Sequence, residues 1–457
     1  MTEHPGWLAP ALAYIPRWLG YQMRSTEQPG CAIAVAYRGE VVLDEAFGWA
    51  DQVAGEALTP RHRFRVASHS KSFTATAVMK LREQGRLKLD DAAGQYVQGL
   101  HPDVAKATLA QLLSHTAGIL RDGPDAAYWS DRKPFLGEAA LRAELALAPA
   151  IEATTRLKYS NHGFGLLGLV IAAVTGEPWS VWVKREVVDA AGLAETTPDV
   201  PASGPLARGH SAKALLGRRL VFPGDQSTHA LAAATGFVST AADLARFFAQ
   251  LSPGAETSVL SPASRREMSR SQWEDPWAVL PQKYGLGTIS GRSDGWDWFG
   301  HSGGFQGYVT RTAVIPEHDL AISCLTNAVD GLSGQWLDGA VAILKRFKEG
   351  GAPQAALADW TGRWWSAWGP TDFVPVGDRV VLCAPGLLNP VAKAGELTVT
   401  GVDAARISQA GAFASYGEPA RLIRDAAGAV AAVHLAGGRL VSEAALAQEL
   451  VGRYERQ

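Results

Sequence analysis

The order in which strand-like and helix-like segments follow one another constrains this chain most. Residues 31–37 and 40–47 are two β-type runs split by Arg38-Gly39, which predicts a hairpin. An amphipathic helix is predicted from near Ser68 to Gln84, stopped by Gly85. The chain then stays rich in alanine and leucine to about Gln250. Within that stretch residues 165–170 suggest a buried helix, and Thr240-Ala241-Ala242-Asp243 a capped helix start. Strand patterns return from Tyr284. Residues 305–315 and 320–326 read as a hairpin about Pro316-Glu317-His318-Asp319, and a helix follows over 333–347. This order predicts an α/β core in which both ends feed one sheet, with a helical insertion between them.

Lys348-Glu349-Gly350-Gly351-Ala352-Pro353 reads as a linker, so the expected domains are residues 1–350 and 351–457. Beyond it, short alternating runs (373–376, 380–382, 397–399) and glycine turns predict a small all-β barrel or sandwich. The 457 residues, 47% of them hydrophobic, suffice for two or three domains of about 100–200 residues each. With 43 basic and 45 acidic side chains the net charge is -2, which points to neither a nucleic acid nor a membrane surface as partner. Cys31, Cys324 and Cys383 are odd in number, far apart and each in an apolar run. Three buried free thiols are expected rather than a disulfide framework. Residues 1–7 lack the basic and apolar regions of a secretory signal. No run reaches the roughly 18 apolar residues of a membrane span. A cytoplasmic location is expected.

Three short motifs carry the chemistry. Ser68-His69-Ser70-Lys71 opens the first predicted helix, where residues i and i+3 share a face, so the Ser68 hydroxyl and Lys71 amine can meet. A hydroxyl is a weak nucleophile until a base takes its proton. Burial and the positive end of the helix dipole both push a lysine there toward its neutral form. The Ser68 N–H is free to donate to an oxyanion. Alone, Ser-x-x-Lys arises by chance in a chain this long. The second motif is Tyr159-Ser160-Asn161. A phenol beside a cationic lysine can lose its proton and act as general base, and Asn161 can bond both Lys71 and a substrate carbonyl. The third, His301-Ser302-Gly303-Gly304, leads into a strand. Its glycines let a substrate lie against the strand edge, and the Gly304 N–H completes an oxyanion hole.

In this order the motifs resemble the Ser-x-x-Lys, Tyr-x-Asn and Lys/His-x-Gly elements of the penicillin-recognising serine hydrolases. That superfamily includes class C β-lactamases, D,D-carboxypeptidases, D-aminopeptidases, related esterases and penicillin-binding-protein-type peptide cyclases. Residues 85–91, 112–118 and 236–240 add to the likeness, which covers about residues 20–347. It implies a β-lactamase/transpeptidase-like antiparallel sheet flanked by helices, with an all-helical insertion. The last hundred or so residues, with Trp360-Thr361-Gly362-Arg363-Trp364-Trp365 near their start, resemble the lipocalin-like barrel of some D-aminopeptidases and cyclases. Those tryptophans are expected in its core. The resemblance implies Ser68, Lys71 and Tyr159 as catalytic residues. It implies Asn161, His301, Gly303 and Gly304 as substrate-binding or oxyanion residues, with no metal and no cofactor. Classical β-lactamases carry Lys where this chain has His301, and the His-x-Gly form is similar to the D-aminopeptidase, D-amino-acid amidase, esterase and cyclase branch. An imidazole grips a carboxylate less firmly than an ammonium does, so little β-lactamase activity is expected.

The function expected is hydrolysis of an amide, peptide or ester bond through an acyl-enzyme, next to a D-amino acid. One alternative is a thioesterase or peptide cyclase, in which an internal amine takes the acyl group. Another is a penicillin-binding sensor that is acylated and never turns over. Gly300-His301-Ser302-Gly303-Gly304 also satisfies Gly-x-Ser-x-Gly, which would make Ser302 a nucleophile with Asp338 and His434 as partners. That motif needs a helix directly after the serine, and residues 308–314 are strand-like. His69 and His115 are expected to pack rather than react. No metal-ligand spacing and no glycine-rich phosphate loop occurs, so the expected partner is a small-molecule or peptide substrate alone. The oligomeric state stays open.

Overall fold

The computed structural model describes residues 4–278 and 282–455; Met1 to Glu3, which open the N-terminal stretch read above, lie outside it. Contacts divide the chain into residues 28–337 and a second unit of residues 1–27 with 338–457. Its longer helices are α1 (Leu8–Thr26), α2 (Ser70–Glu83), α3 (Asn161–Thr175), α4 (Ala241–Gln250) and α5 (Ser333–Gly350). No single described helix is long and apolar enough to cross a membrane.

In the first unit, nine strands among the described residues form one sheet. They are β1 (Gly30–Tyr37), β2 (Glu40–Asp51), β3 (Glu56–Ala57), β4 (Trp273–Asp275), β5 (Gln282–Tyr284), β6 (Ile289–Ser293), β7 (Trp296–Phe305), β8 (Tyr308–Ile315) and β9 (Leu320–Thr326). Their order is β3-β2-β1-β9-β8-β7-β6-β5-β4, antiparallel throughout. The first hairpin turns at Arg38 and Gly39, both with positive φ, the geometry that matches the twist of two-residue hairpins. β1 and β9 join the two halves of the sequence, with Cys31 opposite Thr326 and Tyr37 opposite Leu320. Every residue of both is buried, which is why they read as unbroken apolar runs. Residues 301–305 belong to β7 itself and do not form a turn ahead of a strand.

The helical insertion packs against this sheet. α3 is apolar nearly all round and accordingly buried. Thr240 caps α4, accepting the Asp243 N–H at 3.2 Å. Phe73 of α2 stacks on Phe237 (4.2 Å between centroids) and on Phe247 of α4 (3.8 Å), which fixes the helix that follows Ser68. Cys31, Cys324 and Cys383 are free and buried.

The second unit holds a closed barrel of eight strands between Gly362 and Val441, followed by a helix, Glu443–Tyr454. Trp360 and Trp364 lie in its core with Phe373, Val380 and Leu397. Sequence reading put a boundary after residue 350; the contacts instead place α1 in this unit and run α5 across the expected linker as far as Gly350. Sequence reading passed over an apolar stripe at helical spacing, Leu8, Ala11, Ile15, Trp18, Leu19 and Met23, which α1 buries, and polar contacts add to it. Tyr14 Oη donates to Asp372 Oδ2 at 3.1 Å, Trp18 Nε1 to Leu387 O at 3.1 Å, and Gln22 Nε2 to Pro385 O at 2.6 Å. Pro16 lies inside α1.

Candidate active site

Ser68 sits in one 3₁₀ turn, Ala67–His69, that runs straight into α2. Ala67 has φ of 47°, the left-handed region, which costs a non-glycine residue about 1–3 kcal/mol. Surrounding contacts hold the turn. Ser70 Oγ donates to Ala67 O at 2.5 Å and accepts the Phe237 N–H at 3.0 Å. His69 places Nδ1 2.9 Å from Val66 O and Nε2 3.0 Å from Thr312 Oγ1, and burial pushes its imidazole down to about 4. Its neighbours are buried, while Ser68 itself is half-buried.

Lys71 is fully buried, and its Nζ meets Asn161 Oδ1 at 2.7 Å, Ala234 O at 2.9 Å and Ser68 Oγ at 3.2 Å. Burial holds the amine well below the ordinary lysine range, against a weaker upward pull from Asp122. A neutral amine has two N–H groups and one lone pair. The Asn161 and Ala234 oxygens take the two N–H groups, so the lone pair is left for the Ser68 hydroxyl.

Tyr159 Oη donates to the same Ser68 Oγ at 2.8 Å. The sequence suggested a phenol that loses its proton beside a charged lysine. Burial instead raises the Tyr159 phenol, outweighing the lowering by the Ser68 bond and by Arg121. The same burial that pushes Lys71 toward its neutral form weakens the charge that was to ionise the phenol. The geometry therefore suits Lys71 as proton acceptor and Tyr159 as proton donor.

Asn161 opens α3, and its Nδ2 donates to Asp122 Oδ1 at 2.6 Å. One of the two amide N–H groups expected to be open to a substrate carbonyl is thus committed.

β6 pairs with β7 only from Trp296 to Gly300, so no described strand flanks residues 301–305 on that side. A Cβ on Gly303 would stand 2.2 Å from Val66 O; glycine is what lets the Ser68 turn press against β7. Gly304 is exposed, and a Cβ there would meet nothing within 4 Å. The buried His301 lies on the α2 side of the sheet, with Nε2 3.0 Å from Tyr284 Oη and Nδ1 2.7 Å from Ser302 O. Burial, then the neighbouring His69 and Lys71, hold this imidazole well below its ordinary range, while burial raises Tyr284. The Ser302 N–H also lies 3.0 Å from Nδ1: a neutral ring protonated on Nδ1 donates to Ser302 O and accepts from Tyr284, and one protonated on Nε2 accepts the Ser302 N–H and donates to Tyr284 Oη. A cavity of about 450 Å³ opens at this strand end, lined by Ser302, Gly304, Trp298 and Arg311 among others. The Arg311 guanidinium lies 4.6 Å from the Trp298 ring.

The structure thus gathers Ser68, Lys71, Tyr159 and Asn161 into one hydrogen-bonded cluster, presses Gly303 against the turn that carries Ser68, and sets His301 beside His69, 6.1 Å between ring centroids. Sequence reasoning missed Ala234, which acts through its carbonyl, and Asp122 and Tyr284, isolated residues with no motif spacing to mark them. Ser302 lies inside β7 with β8 after it, so the strand-to-helix turn that would make it a nucleophile is not there. Among the described residues no group of three or more His, Cys, Asp or Glu is placed to hold a metal ion.

The sequence matches the Beta-lactamase family over residues 16–342, most of its length. The chain belongs to the Beta-lactamase family. Penicillin-binding protein 4 of Amycolatopsis lactamdurans is 27% identical over 312 residues, covering 65% of this chain and 81% of that protein. Protein flp of Staphylococcus aureus (strain MW2) is 28% identical over 176 residues, 37% of this chain; the match spans 34% of that protein, about a third of its length. Among solved structures, the octameric penicillin-binding protein homologue from Pyrococcus abyssi superposes with a TM-score of 0.67 at 24% identity, covering 94% of this chain and 99% of that one. A D-stereospecific amidohydrolase from Streptomyces gives 0.60 at 25% identity over 72% of this chain and 97% of its own. This Beta-lactamase family chain shares the fold of serine hydrolases, with a separate eight-stranded barrel appended.

Proposed function

We propose that the chain opens amide, peptide or ester bonds through an acyl-Ser68 intermediate, next to a D-configured residue. The observation that carries this reading is the convergence of Lys71 Nζ and Tyr159 Oη on one half-buried Ser68 hydroxyl. Lys71 takes the Ser68 proton as Oγ attacks the carbonyl carbon, and the N–H groups of Ser68 and Gly304 receive the oxyanion. As the intermediate collapses, Tyr159 gives its proton to the leaving nitrogen or oxygen and recovers one from Lys71. Water then attacks the ester, gives up a proton to the same pair, and Ser68 is freed.

Two observations support the substrate class. His301 is buried, neutral and engaged with Tyr284, so no ammonium stands at that position to hold a substrate carboxylate. The D-preference rests on likeness to the D-stereospecific amidohydrolase. The test is turnover of paired D- and L-amino-acid amides and p-nitrophenyl esters by the wild type and Ser68→Ala. Activity on D-substrates that Ser68→Ala abolishes is expected; activity that survives the substitution refutes the reading. Product mass separates hydrolysis, which adds water, from transfer to an internal amine, which does not.

A further inference from the structure

Asp122 stands behind the cluster and touches neither Ser68 nor Lys71. Its carboxylate, 14% exposed, faces donors: Asn161 Nδ2 at 2.6 Å, Trp129 Nε1 at 3.0 Å and Arg121 Nε at 3.0 Å. An indole N–H and a guanidinium only donate, so the carboxylate here accepts from every partner. The Asn161 amide must then turn its nitrogen toward Asp122, and because the amide is planar this puts Oδ1 on Lys71 Nζ. Were the amide turned over, its N–H would occupy the lysine lone pair that the Ser68 proton requires. The loop itself is anchored: Tyr128 Oη donates to Asp122 O at 2.8 Å, and Gln306 Nε2, from the turn after β7, to Tyr128 O at 2.9 Å.

We propose that Asp122 is a positioning residue for acylation, acting through Asn161 to fix the direction in which Lys71 accepts the Ser68 proton. This rests on the reading of Ser68 as the acylated residue. It gives Asp122 a second, electrostatic effect. Around the Lys71 amine stand Asp122, which favours the ammonium, Arg121, which opposes it, the buried imidazoles of His115 and His301, and the protonated Tyr159. Removing the Asp122 charge lowers the pH at which Lys71 becomes a base.

The experiment measures the pH dependence of acylation by p-nitrophenyl acetate for the wild type, Asp122→Asn, Asp122→Glu and Trp129→Phe, with melting curves for each. Asp122→Asn is expected to lower the plateau rate about tenfold to a hundredfold with little change in KM, and to move the acid limb to lower pH. Asp122→Glu restores part of the rate and returns the limb toward its original position. Trp129→Phe loosens the carboxylate without removing its charge, so it lowers the plateau and leaves the limb in place. A wild-type plateau and limb in Asp122→Asn overturns the proposal. If that variant does not fold, an unchanged plateau in Trp129→Phe overturns it. Wild-type protein that is never acylated on Ser68 removes both this inference and the function it rests on; an acylated wild type with an indifferent Asp122→Asn removes this inference alone.

Discussion

At the scale of the residue, one physical term, burial, sets the protonation states that the site needs. It lowers Lys71 and raises Tyr159, so the amine is free to accept a proton and the phenol has one to give. Lys71→Ala should therefore cut acylation by about 10²–10⁴-fold, and Lys71→Arg should do no better, because a guanidinium stays charged. In the wild type the acid limb of kcat/KM should lie below the ordinary lysine range and vanish in Lys71→Ala; a limb that survives would assign it to another group. Burial of His69 makes a different prediction. Its folded value of about 4 lies below the 6.5 of an exposed histidine, so its contribution to stability is complete above the unfolded value. That contribution is lost as pH falls from there through the folded value, about 3 kcal/mol in all. Urea unfolding of His69→Gln should depend less on pH across this window than that of the wild type. Equal dependence would mean that His69 is not buried neutral.

At the scale of the element, the site is a meeting of three pieces: the 3₁₀ turn before α2, the start of α3 and the open end of β7. Two adjacent glycines separate packing from chemistry. Gly303→Ala drives a methyl into Val66 O and should cost about 1–3 kcal/mol, seen as a lower Tm, with acylation slowed as the turn moves. Gly304→Ala meets open space and should melt like the wild type. A Gly303→Ala protein with unaltered Tm and rate would show that the turn and the strand are not held together there. Much at this scale was legible in the sequence. The apolar run 165–170 and the Thr240 cap each record a local rule that the structure obeys; the helix after Ser68 is there, but it is buried on nearly every side rather than amphipathic. What was illegible was non-local. Nothing in His301-Ser302-Gly303 says that the pairing of β6 with β7 ends at Gly300 and leaves the rest of β7 unflanked, and no residue type announces the Ala234 carbonyl as a lysine acceptor.

At the scale of the whole molecule, the strand order joins residues nearly 300 apart in β1 and β9, and the chain's two ends meet in the barrel unit. Strand-helix-strand order was enough to anticipate the sheet, and short runs with glycine turns the barrel. The place of α1 was not, because its apolar stripe does not say which unit it covers, and a buried carboxylate far along the chain helps to hold it. Asp372 is wholly buried, bonded by Arg363 Nε at 2.7 Å and Nη2 at 2.8 Å, by Tyr14 Oη, and paired with Arg17 at 3.5 Å. Asp372→Ala strands those cations and should destabilise this unit by about 3–5 kcal/mol, with faster proteolysis within residues 1–27; an unchanged melt would show that α1 is held otherwise. The central claim, that Ser68 is the acylated nucleophile, is tested most directly by intact-mass analysis after a fluorophosphonate probe is applied to the wild type, Ser68→Ala and Ser302→Ala. One adduct on the wild type and on Ser302→Ala, and none on Ser68→Ala, is predicted. An adduct that persists in Ser68→Ala and disappears in Ser302→Ala would contradict the account.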